Sequence, residues 1–379
     1  MKRKKQVTLW MVLLLLLMPI TVKADEKEEI TDLIMDNIDI NEVSKEADAN
    51  LPSSLSFEGI FQELIKEDDQ RPVLQLIGSY VAELLENEFA QGKNLFVQII
   101  GIALIFSIIN RLIIVPNNYV ADMSFMMIYA SMMVLLIGAF GAVGELVVDG
   151  IDAMLNFLEV LIPTYTLAMV LSGNATSASM FYTFTFGIIY VLEWGLKLIV
   201  IPGINSYVLL ELLNHIYRDD FFSKLAGLIY KLINYVLKST LAIVAGVGLV
   251  QSLIGTAKDR IADSIVLKSI SYVPGVGKIA GNMGEIFLGC GMLIKNGIGV
   301  TALIILVFLA AIPFVKLLFF DISYRFLAAV LQPVADRRIV EGLESVAKGG
   351  SLYLKLLTYG FLFFFISIAI AASASSFVH

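Results

Sequence analysis

The residues best suited to chemistry are charged side chains inside long apolar stretches. Glu193 and Lys197 lie four residues apart in one stretch, a spacing that puts both on one face of an α-helix and predicts an ion pair. Glu159 and Glu285 have no opposite charge at that spacing in their own stretches. Because ionisable groups within a membrane are costly, we predict that these two line a polar interior or sit among lipid headgroups.

Both glutamates lie in interrupted apolar stretches. Pro163 follows Glu159 by four residues, and Gly284 lies beside Glu285 in a segment with several other glycines. Interrupted helices often mark the binding seam of a membrane protein. Glu159, Pro163, Gly284 and Glu285 therefore form the predicted polar lining or seam.

The sequence gives little support for a metal site, a disulfide, a nucleotide site, a catalytic site or nucleic-acid binding. Cys290, His215 and His379 are too few for a His/Cys metal cluster or an internal disulfide. The run Gly275-Val276-Gly277 is not followed by the Lys-Ser/Thr of a phosphate loop, and no nucleophile elbow surrounds His215. Basic residues are spread along the chain, so nucleic-acid binding is not indicated. We expect no catalytic residue, metal or cofactor, and no enzyme.

Composition indicates the environment of the elements that carry these residues. Of the 379 residues, 58% are hydrophobic and 16% are charged, and the mean hydropathy is +0.82. A soluble core could not bury that much apolar surface without leaving aggregating patches, whereas lipid solvates it directly. We predict an all-α polytopic membrane protein.

The N-terminus has the pattern of an export signal. Residues 2–5 are all basic, an apolar run of about ten residues follows, and Val22-Lys23-Ala24 is typical of a cleavage site. Residues 1–24 are predicted to be a signal peptide, with an uncleaved anchor as the alternative. Either places residue 25 outside the cytoplasm.

Residues 25–93 form an acidic extracytoplasmic region. They contain 18 acidic and 5 basic residues, a net charge of −13. Apolar residues recur at helical spacing in three short stretches, beginning near Ile30, Phe57 and Val73, and residues 50–56 have the composition of a linker. The pattern predicts either a small solvated helical domain or a docking surface for another exported protein.

Residues 94–379 form the polytopic body. About eight spans are predicted, with six to eight defensible, at 94–115, 123–144, 155–172, 179–201, 239–257, 278–295, 297–315 and 352–372. Lys and Arg enrichment in cytoplasmic loops places Arg260 and Arg337 inside, and the loop carrying Asp152, which lacks basic residues, outside. A hairpin at 278–315 completes eight spans and puts His379 outside.

A faint internal repeat relates residues 152–257 to residues 263–368. At an offset of 111, Pro163 aligns with Pro274, Gly173 with Gly284 and Pro202 with Pro313. Three spans per unit would invert the second unit relative to the first, and chance alignment stays the alternative.

The segment between the fourth and fifth spans is amphipathic. Lys224, Lys231 and Lys238 recur every seven residues beside an apolar face. This segment is predicted either to lie in the headgroup plane with its lysines snorkelling or to contact a partner.

Nearly the whole chain resembles the stage III sporulation protein AE family. The resemblance rests on the layout of signal, acidic helical region and polytopic body, and on local motifs: Asn156–Gly173, Ile201-Pro202-Gly203, Tyr272–Gly277 and Leu293–Gly299. These motifs are structural and carry no catalytic residues over to this chain.

The resemblance implies a membrane platform or channel subunit in a complex linking mother cell and forespore, supporting late forespore gene expression. Its partners would be other membrane and ring subunits and a separate ATPase. The chain would lie in the mother-cell membrane around the forespore, its acidic region extracytoplasmic. From the residues alone, a self-sufficient secondary transporter of a small solute is the alternative; sparse intramembrane charge favours the platform.

Overall fold

The computed structural model describes residues 40–50, 56–66, 97, 100–101, 118–216, 221–243, 246 and 277–373. Within these ranges, the side chains of 40, 50, 62–66, 118–122, 124–125, 189, 192–193, 277–291 and 370–373 are not described. The predicted signal peptide, most of the predicted spans 94–115 and 239–257, Arg260 and His379 lie outside these residues. So do two of the three predicted acidic-region helices, starting near Ile30 and Val73.

The elements of the described residues are helices. In chain order they are α1 (Ile40–Asn50), α2 (Phe57–Lys66), α3 (Asn118–Leu171), α4 (Ala175–Leu192), a π-helical segment (Glu193–Val200), α5 (Ile201–Asn214), α6 (223–243), α7 (Gly277–Leu331) and α8 (Arg337–Ser373).

Four helical stretches of the described residues are long and apolar enough to cross a membrane. They are Met126–Leu171, Trp194–Asn214, Met292–Leu331 and Arg337–Ala369. The predicted all-α membrane class is confirmed, whereas the count of eight spans is not.

Two predicted reversals of the chain are wrong. Spans 123–144 and 155–172 lie in the single helix α3 of 54 residues, so Asp152 is not in an outer loop. Spans 278–295 and 297–315 likewise belong to the single helix α7 of 55 residues, and the hairpin is absent. Neither the acidic residues near 150 nor Asn296-Gly297 break a helix whose backbone hydrogen bonds are satisfied internally. Each helix is about 80 Å long, against a hydrocarbon layer of about 30 Å.

Two long hairpins form the bundle. The first runs up α3 and returns through α4, the π-helical segment and α5, and the second consists of α7 and α8. The turn after α3 is a Schellman motif: Gly173 adopts φ 83°, and the Asn174 N–H donates to the Met169 carbonyl at 3.0 Å. Only glycine adopts this conformation without strain, which explains the Ser172-Gly173 motif.

Glycines bring the hairpins into close contact. A Cβ on Gly150 of α3 would lie 2.8 Å from the Pro313 ring of α7, and a Cβ on Gly349 of α8 would clash with Val208 of α5 and lie 2.7 Å from Phe140 of α3. Gly350 similarly approaches Phe320. These contacts make α3 parallel to α8 and antiparallel to α7, so the two hairpins run in opposite directions.

The internal repeat with an offset of 111 stays a prediction. Gly173 lies in a turn and its predicted counterpart Gly284 lies inside α7, while Pro274 lies outside the described residues.

Helices α1 and α2 pack on the body. Helix α1 contacts α3 and α2 contacts α7, and the contacts bury Val43, Ala47, Phe57, Ile60 and Phe61. At the α2 N-terminus the Ser56 hydroxyl accepts from the Gly59 N–H at 3.0 Å, a typical N-cap. In the described part of the acidic region, apolar side chains of α1 and α2 are therefore buried by contacts within the same chain.

Helix α6 lies antiparallel to α5 and not across the bundle. The Phe222 N–H donates to Asn214 Oδ1 at 3.0 Å, and the rings of Tyr207 and Tyr230 lie 5.5 Å apart. Further along, Gly203 faces Ile233. Because α5 is a candidate span, the prediction that this segment lies in the headgroup plane does not fit the structure.

Candidate functional site

An ion pair links the two arms of the first hairpin. Lys197 Nζ of the π-helical segment lies 2.5 Å from Asp152 Oδ1 of α3, and each side chain is about one-third exposed (33% and 36%). The contact neutralises two charges at a level near the Gly150–Pro313 contact. Asp152, predicted to be a loop residue, is therefore a partner of a predicted site residue.

The backbone around Lys197 differs from the predicted one. Glu193–Val200 is π-helical, so residues four apart no longer align as in an α-helix. Such insertions are frequent at functional sites. The Glu193 side chain lies outside the described residues, and its pairing with Lys197 stays a prediction.

Of the four predicted seam residues, the structure describes the surroundings of two. Glu159 and Pro163 are exposed on α3, which continues past the proline. Gly284 and Glu285 lie in α7 without described side chains. Their role as a polar lining therefore stays a prediction.

A second polar cluster joins α7 to α8. Arg325 Nε donates to both Asp321 oxygens at 3.1 Å, and its guanidinium donates to Ser351 Oγ at 2.8 Å. The Ser351 hydroxyl in turn donates to Asp321 at 2.7 Å. The three side chains form a closed ring of hydrogen bonds between the arms of the second hairpin.

A third cluster lies where the first hairpin ends and α8 begins. His215 Nε2 lies 3.1 Å from Ser345 Oγ, and Nδ1 lies 3.6 Å from Glu341 Oε2. Glu341 also accepts from Arg337 at 2.6 Å. This connectivity is that of a Ser-His-Glu triad, and nothing in the sequence indicated it because 130 residues separate His215 from Ser345.

The hydrogen-bond directions do not suit a nucleophile. Ser345 donates its hydroxyl proton to the Glu341 backbone carbonyl at 2.8 Å, so it accepts from His215. A serine nucleophile must instead donate to the imidazole. Ser345 is also 1% exposed, so a substrate carbonyl could not reach it. The cluster ties α5 to α8.

Polar contacts also hold α8 against α5 and α6. The Tyr353 hydroxyl donates to Asn205 Oδ1 at 2.7 Å, and Lys355 Nζ lies 3.2 Å from Asn234 Oδ1 and 5.5 Å from the Tyr230 ring. Between α3 and α5, the Tyr129 hydroxyl donates to the Leu212 carbonyl at 3.0 Å. In α7, the side chain of Lys295 is fully buried.

The clusters share one property: each connects two helices. Among the described residues, no group of three His, Cys, Asp or Glu side chains could hold a metal ion. Polar contacts between helices of this type help to fix the helix registry.

Comparison with known proteins identifies a family by sequence. The sequence profile of the family described as stage III sporulation protein AE matches residues 55–375. The stage III sporulation protein AE of Bacillus subtilis (strain 168) is 24% identical over 343 residues, which cover 89% of this chain and 84% of the relative. No solved structure matches. A match over most of the chain, in a helical membrane protein, shows that this protein belongs to the stage III sporulation protein AE family.

Proposed function

We propose that this chain is a membrane platform or channel subunit of the complex that links mother cell and forespore during sporulation. The observation that carries the proposal is the family match across 55–375, which includes the whole described body. In this role the chain supports late forespore gene expression without catalysing a reaction.

The packing of the body supports a platform. Polar contacts join the arms of both hairpins: the Asp152–Lys197 ion pair in one, and the hydrogen bonds of Ser351 in α8 with Asp321 and Arg325 in α7 in the other. Buried glycine contacts then lock the hairpins together. A rigid bundle of this kind can hold other subunits in fixed positions.

The N-terminal region completes the proposal. Its helices α1 and α2 contact α3 and α7, and we infer that this acidic region faces the space between the two membranes. We place the chain in the mother-cell membrane, with partners that include other membrane and ring subunits and a separate ATPase.

Deletion and complementation in the spore-forming organism that makes this chain test the role. We expect deletion to abolish a late forespore reporter and the tagged full chain to restore it and to co-purify other membrane subunits. Normal reporter activity in the deletion strain would contradict the proposal.

Substitution of Glu159→Gln with Glu285→Gln separates the platform from a transporter. A platform keeps reporter activity with both substitutions, because neither glutamate is needed to bind a solute. Solute uptake by purified chain in vesicles, lost in the double variant, would favour the transporter. The matched control is Glu344→Gln, an exposed glutamate of α8.

A further inference from the structure

The outer face of α6 carries an exposed heptad pattern. Apolar residues recur at alternating spacings of three and four, and their side chains are half or more exposed: Leu225 50%, Leu228 60%, Leu232 54% and Tyr235 68%. Two small residues, Ser239 and Ala242, continue the spacing and are also exposed. This 3-4 spacing is the seam of a two-helix coiled coil.

The lysines of α6 occupy one heptad position beside this seam. With Leu225 and Leu232 at position a and Leu228 and Tyr235 at position d, Lys224, Lys231 and Lys238 all fall at position g. All three are exposed. Position g flanks the seam, where charges select the partner helix.

The opposite face of α6 is already occupied. Ala226, Ile233 and Leu237 are 0%, 5% and 1% exposed, and Ile233 packs on Gly203 of α5. Lys355 and Asn234 fix this face by a hydrogen bond. Helix α6 is therefore held with its heptad seam and its lysines pointing away from the described helices.

We propose that this seam binds an amphipathic helix of another protein, about three heptads long, with Asp or Glu beside its apolar stripe. Acidic residues there would pair with the three lysines, which lie about 10 Å apart along the axis. The inference rests on the proposed function only in supposing that the chain works within a complex.

Lipid suits this face less well. Helix α6 runs along a candidate span, so its lysines are spread along the bundle axis and not gathered at one depth. Snorkelling carries lysines to the headgroups only near helix ends. Contact with disordered acyl chains also does not require a regular 3-4 spacing of apolar residues.

A second copy of the same seam also fits poorly. An antiparallel pair would place lysine opposite lysine at position g. A parallel pair would oppose the lysines with position e, which holds Ile229, Val236 and Ile243. Neither arrangement neutralises the charge, whereas an acidic helix does.

Site-specific photocrosslinking in sporulating cells tests the proposal on the full chain. A benzophenone amino acid at Leu228 or Leu232 should give an adduct whose crosslinked peptide is an acidic helix with heptad-spaced apolar residues. The same probe at Ile233, which faces α5, is the matched control and should give no adduct with another protein.

Charge variants provide the second measurement. The triple substitution Lys224→Glu, Lys231→Glu and Lys238→Glu should reduce the adduct about tenfold or more, because three attractions become repulsions. The triple Lys→Arg variant should retain it. Equal thermal unfolding of both variants in detergent shows that each has folded.

Several outcomes would overturn the inference. These are an adduct with lipid or with a second copy, a crosslinked peptide without acidic residues, no adduct, or an adduct that survives the Glu variant. An acidic helix from a protein unrelated to sporulation would keep this inference and contradict the proposed function.

Discussion

The two long hairpins have similar lengths but differ in burial. In the most apolar 18-residue stretches, 61% of the residues are buried in α7 and 50% in α8, against 22% in α3 and 39% in the stretch that includes α5. The second hairpin is therefore the centre of the described bundle. The first presents more apolar surface to lipid or to other subunits.

The hairpins also join their arms differently. In the second, Arg325, Asp321 and Ser351 close a ring of hydrogen bonds. In the first, the Asp152–Lys197 ion pair connects α3 to a π-helical segment, and the Tyr129 hydroxyl donates to the Leu212 carbonyl of α5. We therefore expect the ring of the second hairpin to contribute more to stability than the ion pair of the first. The following variants test whether the two hairpins differ in this way.

Gly349→Ala should have the greatest effect, because it separates the hairpins where they touch. The new Cβ would clash with Val208 and approach Phe140, and overpacking of this kind costs about 1–3 kcal/mol. Unfolding of the purified chain in mixed micelles measures the loss. Gly360→Ala on the same helix has no atom within 4 Å of the added Cβ and is the control; equal losses in the two variants would contradict the close contact.

Ser351→Ala should come next, because it opens the ring in the central hairpin. It removes one donor to Asp321 and one acceptor for Arg325, worth about 1 kcal/mol in unfolding free energy. Ser131→Ala in α3 is the matched control, because the Ser131 hydroxyl donates to the Met127 carbonyl of its own helix. A larger loss for the control would rule out the ring as a stabilising feature.

Removal of the ion pair in the first hairpin should have a smaller effect. A double-mutant cycle with Asp152→Asn and Lys197→Gln should give a coupling of about 0.2–1 kcal/mol, because both side chains are one-third exposed. The same cycle with Glu193→Gln tests the predicted intrahelical pair. Stronger coupling of Lys197 to Glu193 than to Asp152 would show that Glu193 is the main partner of Lys197.

Glu159→Gln should change stability least, by less than about 0.5 kcal/mol, since the side chain is exposed on α3. The same unfolding measurement checks this. A loss above about 1 kcal/mol, absent in the exposed control Glu344→Gln, would mean that Glu159 faces a buried polar environment, as the sequence predicts.

The sequence contained a signal against the wrong chain reversal predicted near Asp152. Hydropathy falls around Glu145, Asp149 and Asp152, and such a fall is typical of a loop between spans. These residues are spaced by four and three, which places them on one face of a helix. Attention to that period predicts a continuous α3 with a charged face, although not the partner Lys197.

The His215–Ser345–Glu341 cluster and the role of Gly349 could not be predicted. Both depend on which helices are neighbours, and residues 130 apart in the chain carry no local signal of contact. The heptad of α6 is different, because its spacing is visible in the sequence. Only the packing of α6 on α5 decides which face is left exposed.

Composition was enough to assign the solvent and the class of this protein, because the transfer of apolar side chains to lipid depends on how many there are and not on their arrangement. The family resemblance was also present in the amino-acid sequence. How many times the chain reverses, which charges pair and which faces are free became known only from the folded bundle. Those properties follow from contacts between distant helices, whose energies depend on close packing and geometry that no local pattern encodes.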